Sequence, residues 1–288
     1  MALSPTAVLF PGQGSQTAGM RSTVERERPD LLELAIRELG EDPFARVDEG
    51  TRFAQPALFC ASLAGFSRLG DPEPEFFAGH SLGELAALVA AESLSVEDGL
   101  RLVALRGRVM EEAAARAPGG GMLALRAGLE GAAPLAGRHG LSVANDNAPG
   151  QVVLSGPDEA LEGALAEARE AGIRAMRLPV AGAFHSPAMA SAVPEFEHAL
   201  GEVVFAAPRA PVFSGVTAEP LEGDYARRLA EGLTRPVRWR ETLDALHRRG
   251  VRRFVETGPG KVLTGLARRT LEGVEASTAD ALETAVRA

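Results

Sequence analysis

Ser81 lies midway between two glycines in the segment Gly79-His80-Ser81-Leu82-Gly83, a spacing typical of the nucleophile elbow, a sharp turn between a strand and a helix. Glycine suits the flanking positions because the turn brings them close to other backbone and glycine has no Cβ. An apolar strand before the turn and an amphipathic helix after it would place the Ser81 hydroxyl at a helix N-terminus. The Leu82 N–H would then be free to bind an oxyanion. The alternative is a glycine-rich turn with a capping serine.

A serine nucleophile needs a base within hydrogen-bond reach, and His185 is the best candidate among five histidines. His185 lies in a loop just before a helix that Ser186 and Pro187 would start. His80 belongs to the elbow itself, and the other three histidines have polar helical surroundings. A structural role remains the alternative for any single histidine.

The loop 11–16 follows an apolar strand, Ala7–Phe10, and contains Gly12 and Gly14. This pair resembles the start of a dinucleotide-binding loop, but Thr17 occupies the third glycine position, which makes nucleotide binding a poor interpretation. At the carboxyl end of a first strand, the loop is expected to line the same crevice as Ser81. Its backbone would then supply a second oxyanion donor.

Composition narrows the class of protein. The chain has 288 residues, 45% of them apolar, which is enough for one large core or for a large domain with a small one. It has no uninterrupted apolar run of about 18 residues, and its N-terminus lacks the pattern of a secretory signal, so we expect a soluble cytoplasmic protein. The net charge of −9 argues against general nucleic-acid binding. Cys60 is the only cysteine, in an apolar context typical of a core residue, and no metal site is predicted.

Two structural units are predicted from the order of helical and strand patterns. Strands at 7–10, 76–78, 211–213 and 253–256 alternate with helices, among them 29–39, 55–69 and 99–115, which favours a mainly parallel sheet covered by helices. Between 122 and 179 the order is strand, helix, strand, strand, helix, strand, that of a ferredoxin-like unit. We therefore predict a large α/β domain, 1–120 with 184–288, and a small inserted α+β domain, 121–183. The cleft between them is the predicted substrate site.

Six segments together resemble the malonyl-CoA:acyl carrier protein transacylases, the FabD-like acyltransferase family. They occur in the family's order and cover the chain from end to end: LFPGQGSQ (9–16), GHSLGE (79–84), LRG (105–107), NDNAPGQVV (145–153), GAFHSP (182–187) and VETGPGKVL (255–263). The resemblance implies an α/β-hydrolase-like large domain with a ferredoxin-like insert. It also implies transfer of a malonyl group from malonyl-CoA to acyl carrier protein, with no cofactor, for fatty-acid or polyketide synthesis.

Roles for individual residues follow from the same resemblance. Ser81 would be the acylated nucleophile and His185 its base, oriented by a backbone carbonyl near Gly258–Gly260. The N–H groups of Gln13 and Leu82 would form the oxyanion hole, and Arg106 would pair with the malonyl carboxylate. Three further residues are implied as substrate-binding: Gln55, Asn147 and Phe184, the last being typical of malonyl-selecting members.

The resemblance also implies an acidic carrier protein as partner, for a chain expected to be monomeric. Because this chain is itself acidic, a local basic patch would be needed to attract the carrier. We expect that patch among exposed arginines near the C-terminus: Arg248, Arg249, Arg268 and Arg269. Two positions depart from the family's pattern, Glu111 and Asp146, and Glu111 would add a negative charge near the carboxylate site if it pointed inward.

Other functions remain open at this point. An acyl hydrolase on the same fold would differ only in passing the acyl group to water. A patatin-like lipase would need an Asp-Gly-Gly or Asp-Gly-Ala motif, which the sequence lacks. A non-catalytic carrier-binding module would not need both Ser81 and His185.

Overall fold

The computed structural model describes residues 5–70 and 73–282. The strands are β1 Thr6–Phe10, β2 Phe76–Gly79, β3 Gly120–Leu125, β4 Ser142–Ala148, β5 Gln151–Pro157, β6 Ala175–Arg177, β7 Val212–Phe213, β8 Arg253–Glu256 and β9 Glu275–Thr278. The α-helices are α1 Met20–Glu27, α2 Pro29–Leu39, α3 Thr51–Ser67, α4 Gly83–Ala90, α5 Val96–Arg116, α6 Leu129–Arg138, α7 Asp158–Glu170, α8 Val193–Gly201, α9 Tyr225–Glu231, α10 Trp239–Arg248 and α11 Val262–Thr270. Short 3-10 helices span Pro43–Arg46 and Pro187–Ala192.

The larger sheet has five strands in the order β7-β2-β1-β8-β9, and all of its pairings are parallel. Side chains alternate across central strand β1, as the two-residue period of a strand requires. Val8 and Phe10 enter a core shared with α1 to α5, whereas Ala7 and Leu9 enter a second core with α10 and α11. The sheet is thus buried on both faces, and the predicted parallel architecture is confirmed.

The smaller sheet has four antiparallel strands in the order β4-β5-β3-β6. Its elements occur along the chain as β3, α6, β4, β5, α7 and β6, which confirms the ferredoxin-like order. Helices α6 and α7 cover one face and enclose a separate apolar core. Met122, Ala144 and Val153 belong instead to the core shared with the larger unit. The division at 120 and 184 into two domains stays a prediction.

Helix α3 and strand β9 are the clearest differences from the prediction. Helix α3 begins at Thr51, ahead of Pro56, because the Glu111 carboxylate on α5 accepts a hydrogen bond from the Arg52 N–H (3.2 Å) at the start of the helix. Strand β9 was not predicted, since its few residues are polar or alanine and only pairing with β8 makes them a strand. Within the described ranges, the structure contains no helix that is both long enough and apolar enough to cross a bilayer.

Candidate active site

The strand–turn–helix around Ser81 is formed by β2 and α4. Ser81 has a φ of 55°, in the left-handed region that non-glycine residues rarely adopt. A Cβ on Gly79 would lie 2.0 Å from the Gly83 carbonyl carbon, and one on Gly83 would lie 2.1 Å from the Phe10 carbonyl oxygen. Glycine is therefore required at both positions, and the predicted nucleophile elbow geometry is present.

Ser81 and His185 meet although 104 positions separate them in the sequence, with Oγ 2.9 Å from Nε2. On the other side of the ring, Nδ1 lies 2.8 Å from the Gly232 carbonyl oxygen. A carbonyl can only accept, so the proton of the neutral imidazole is on Nδ1. Nε2 is then unprotonated and accepts the Ser81 hydroxyl proton, the arrangement that a general base needs.

The expectation that a carbonyl near Gly258–Gly260 orients His185 was wrong, because the Gly232 carbonyl does so. Strand β8 lies on the opposite side of β1 from β2, so the loop after β8 packs against the loop after β1. A Cβ on Gly258 would come within 2.1 Å of the Pro11 ring. Gly232 belongs instead to the segment between α9 and α10, on the Ser81 side of the sheet.

Burial lowers the pKa of His185 to about 3, and the positive charge of Arg106 adds to this effect. The ring has a carbonyl rather than a carboxylate behind it, so no negative group counteracts the loss of hydration. His185 is therefore neutral at physiological pH, which is the protonation state that a general base needs.

Arg106, on α5, is buried beside Ser81. Nη2 lies 2.9 Å from Ser81 Oγ, and Nη1 lies 2.8 Å from Gln55 Oε1 on α3. Gly107 allows α3 and α5 to approach this closely, since a Cβ there would lie 2.8 Å from the Thr51 carbonyl oxygen. Burial lowers the pKa of Arg106 to about 10, so the guanidinium stays charged at neutral pH. No carboxylate of the described residues lies within 4.0 Å of it.

Gln13 and Leu82 flank the space in front of Ser81, on the loop after β1 and at the start of α4. The two loops are held together by a hydrogen bond from the His80 N–H to the Phe10 carbonyl (2.9 Å). Gly12 packs against His80 so closely that a Cβ would lie 2.6 Å from the His80 carbonyl oxygen. Gln13 and Leu82 both line the cleft, where two N–H groups could receive one oxyanion.

Sequence reasoning assigned no role to His80, which links the turn to the smaller sheet. Its Nε2 donates to Asn147 Oδ1 on β4 (2.8 Å), and its ring packs edge-on against Trp239 with centroids 5.4 Å apart. Burial lowers the pKa of His80, which favours the neutral ring. The only signal in the sequence was the NDN triplet at 145–147, and it did not indicate that Asn147 would contact His80.

Glu84 was also missed. It is a buried carboxyl group one helical turn beyond Ser81, and it accepts a hydrogen bond from the Gly215 N–H. Burial raises the pKa of Glu84 to about 7, although Arg106 and the Gly215 N–H oppose the rise. Glu84 and Arg106 line a small cavity of about 20 Å³ behind Ser81 and His185. The carboxyl group therefore influences the electrostatics of the Arg106 site without contacting it.

Ser81, His185 and Arg106 line one cleft of about 260 Å³ between the two sheets. The larger unit contributes the loop 12–16 and parts of α3, α5 and α11, and the smaller unit contributes residues of β3, β4, β5 and the segment 178–180. Eight of the predicted site residues meet there: Gln13, Gln55, Ser81, Leu82, Arg106, Asn147, Phe184 and His185. The structure thus brings these residues together, whereas their individual roles stay predictions.

The four arginines predicted to dock a carrier do not reach this cleft. Arg248 and Arg249 end α10, and Arg268 and Arg269 lie in the last turn of α11. These helix ends precede β8 and β9, so they lie near the N-terminal ends of the parallel strands. Ser81 lies at the opposite, C-terminal ends. Arg249 pairs with Glu219 (2.6 Å), and Arg268 donates to the Ala276 carbonyl (2.5 Å).

The two departures from the family pattern also have defined places. Glu111 of α5 is 38% exposed and does not line the cleft, because its carboxylate accepts a hydrogen bond from the Arg52 N–H at the start of α3. Asp146 is buried and pairs with Arg240 of α10. Neither carboxylate therefore lies beside Arg106.

Comparison with known proteins adds independent evidence. The acyl transferase domain family model matches residues 39–286. The chain is 43% identical to the polyketide biosynthesis protein ThaF of Burkholderia thailandensis, over 93% of this chain but only 24% of that longer protein. It is 38% identical to the polyketide biosynthesis malonyl CoA-acyl carrier protein transacylase PksC of Bacillus subtilis, over 93% of this chain and 98% of PksC.

Solved structures show the same similarity. The crystal structure of malonyl-CoA:acyl carrier protein transacylase (FabD) from Xanthomonas oryzae pv. oryzae superposes with a TM-score of 0.90 at 36% identity, covering 100% of this chain and 98% of that one. The fold described above agrees with these matches. This chain belongs to the malonyl-CoA:acyl carrier protein transacylase (FabD) acyltransferase family.

Proposed function

We propose that this protein transfers a malonyl group from malonyl-CoA to the phosphopantetheine thiol of acyl carrier protein through a malonyl-Ser81 ester. The product would supply fatty-acid or polyketide synthesis. The observation that best supports the substrate is Arg106, a buried cation next to the Ser81–His185 pair with no carboxylate within 4.0 Å among the residues described. A buried charge needs a partner, and a malonyl thioester brings a carboxylate on the acyl group itself.

The first half-reaction uses the hydrogen bonds already present. Ser81 Oγ attacks the thioester carbonyl while its proton passes to Nε2 of His185. The tetrahedral oxyanion accepts hydrogen bonds from the N–H groups of Gln13 and Leu82. Collapse breaks the carbon–sulfur bond, and the coenzyme A sulfur leaves with the proton from His185. The Gly232 carbonyl steadies the imidazolium that exists in between.

The second half-reaction repeats these steps with another thiol. The carrier's phosphopantetheine thiol gives its proton to His185 and attacks the malonyl-Ser81 carbonyl. Ser81 Oγ leaves and regains the proton, which restores the free enzyme. Hydrolysis would follow the same route with water as acceptor, so the two activities differ in what reaches the cleft after acylation. Cytoplasmic location and a monomeric state stay predictions.

Intact-mass measurement tests the intermediate. Wild-type protein mixed with malonyl-CoA should gain one malonyl group, and Ser81→Ala should gain none. Ser15→Ala is the matched control, since Ser15 lines the same cleft and should leave labelling unchanged. A label that persists in Ser81→Ala would refute the nucleophile. Adding acyl carrier protein should remove the label faster than water does, and equal rates would favour the hydrolase.

A further inference from the structure

Asp146 and Arg240 form an ion pair that the reaction just described does not use. Arg240 Nε and Nη2 lie 3.0 and 2.7 Å from Asp146 Oδ2, and Nε also lies 3.2 Å from Oδ1. The Asp146 side chain is only 5% exposed, and that of Arg240 is 30% exposed. The pair joins β4 of the smaller sheet to α10 of the larger unit through two guanidinium nitrogens.

The backbone around this pair also crosses between the two units. The Asp146 N–H donates to the Val237 carbonyl (2.9 Å), and the Val237 N–H donates to the Ala144 carbonyl (2.8 Å). The pairing of β4 with β5 is irregular between Val143 and Asn145 and again between Asp146 and Ala148. Between these irregularities Asn145 and Asp146 stay paired with Val153 and Val152 of β5, and the hydrogen bonds to Val237 tie the other side of β4 to the larger unit.

Asn147 follows directly, and its Oδ1 accepts the hydrogen bond from His80 (2.8 Å). His80 adjoins Ser81, and its own backbone is fixed to the loop after β1. A shift of β4 would therefore move the acceptor that holds the turn carrying the nucleophile. Arg106 and Gln55 lie on α5 and α3, so such a shift would leave the carboxylate site in place.

We propose that the Asp146–Arg240 pair is a positioning element for catalysis, holding β4 against α10 so that Asn147 keeps His80 and Ser81 in their reactive geometry. This inference rests on the proposed malonyl transfer. Neither residue contacts the reacting atoms, so the effect should appear in the rate of acylation and not in the binding of malonyl-CoA.

Asp146→Asn keeps the size of the side chain and removes the charge that Arg240 grips. We expect kcat for malonyl transfer to fall about tenfold or more, since small misplacements of reacting groups cost up to about a hundredfold, with KM for malonyl-CoA changed less than about twofold. Asp244→Asn is the matched control. Asp244 also approaches Arg240 (3.5 Å) but lies on the same helix and does not hold β4, so kcat should stay at the wild-type value.

A double variant separates positioning from general loss of stability. If the pair acts through Asn147, then Asn147→Ala should lower kcat by about the same factor alone as when combined with Asp146→Asn. The inference would be overturned if the fold-losses in kcat of the two single variants multiplied in the double variant. It would also be overturned if Asp146→Asn left kcat unchanged or changed only KM. If Asp146→Asn does not fold, Arg240→Lys decides, because it keeps the charge and loses the planar fork; an unchanged kcat there would also refute the proposal.

Failure of this inference can be told from failure of the proposed function. Wild-type protein that is not malonylated on Ser81 would refute the function itself. If the wild type is malonylated on Ser81 and Asp146→Asn is malonylated at the same rate, only the positioning role is refuted.

Discussion

At the scale of one side chain, we propose that Arg106 determines which acyl groups the site accepts. A malonyl carboxylate would supply the anionic partner that Arg106 lacks among the described residues. Each hydrogen bond to a charged group contributes about 1.5–3 kcal/mol to binding. We expect Arg106→Ala to reduce malonyl transfer by orders of magnitude while acetyl-CoA use is kept or increased. The ratio of kcat/KM for the two thioesters measures this. A ratio unchanged from the wild type would mean that another residue recognises the carboxylate.

His185 predicts an unusual pH dependence. The base acts when neutral and is lost as pH falls through its folded pKa, which burial lowers to about 3. An ordinary histidine, with a pKa near 6.5, would lose about tenfold in kcat/KM by pH 5.5. We therefore expect kcat/KM for acylation to change less than about twofold between pH 7.5 and 5.5. A tenfold loss over that interval would show that the ring keeps an ordinary pKa.

The strand–turn–helix element depends on glycine where backbones touch. Gly83→Ala would place a Cβ 2.1 Å from the Phe10 carbonyl oxygen, so we expect a stability loss of several kcal/mol, or no folding, together with loss of activity. Gly265→Ala in α11 is the control, since nothing lies within 4 Å of the added Cβ. It should raise the free energy of unfolding by about 0.5–1 kcal/mol, measured by denaturant unfolding. Equal effects of the two substitutions would contradict the close approach.

Elements were predictable where local pattern determines them. The apolar run of β1 and the glycines around Ser81 are both visible in neighbouring residues of the sequence. What sequence reasoning missed depends on contacts distant in the chain. Gly232 offers only a backbone carbonyl to His185, and no side-chain pattern marks such a residue.

At the scale of the whole molecule, the carrier must deliver its thiol to a cleft on an acidic protein. Lys261 is the only lysine, and it is exposed at the N-terminus of α11, whose next residues line the cleft. We expect Lys261→Glu to raise KM for the carrier and leave KM for malonyl-CoA unchanged, because electrostatic attraction acts over about 8–10 Å at physiological salt. Arg268→Glu with Arg269→Glu is the comparison. A larger effect of that pair would place the docking surface at the predicted arginines instead.

Trp239 has a practical consequence for anyone studying this protein. It is the only tryptophan, it is fully buried, and its ring packs against His80 one residue from the nucleophile. Its indole nitrogen has no hydrogen-bond partner among the described residues, so its emission depends mainly on that neighbouring imidazole and on the apolar surroundings. The unlabelled protein therefore carries an intrinsic fluorophore beside the turn that holds Ser81. We expect its emission to change on acylation of Ser81, so that stopped-flow fluorescence would follow the reaction, with Trp239→Phe giving no signal.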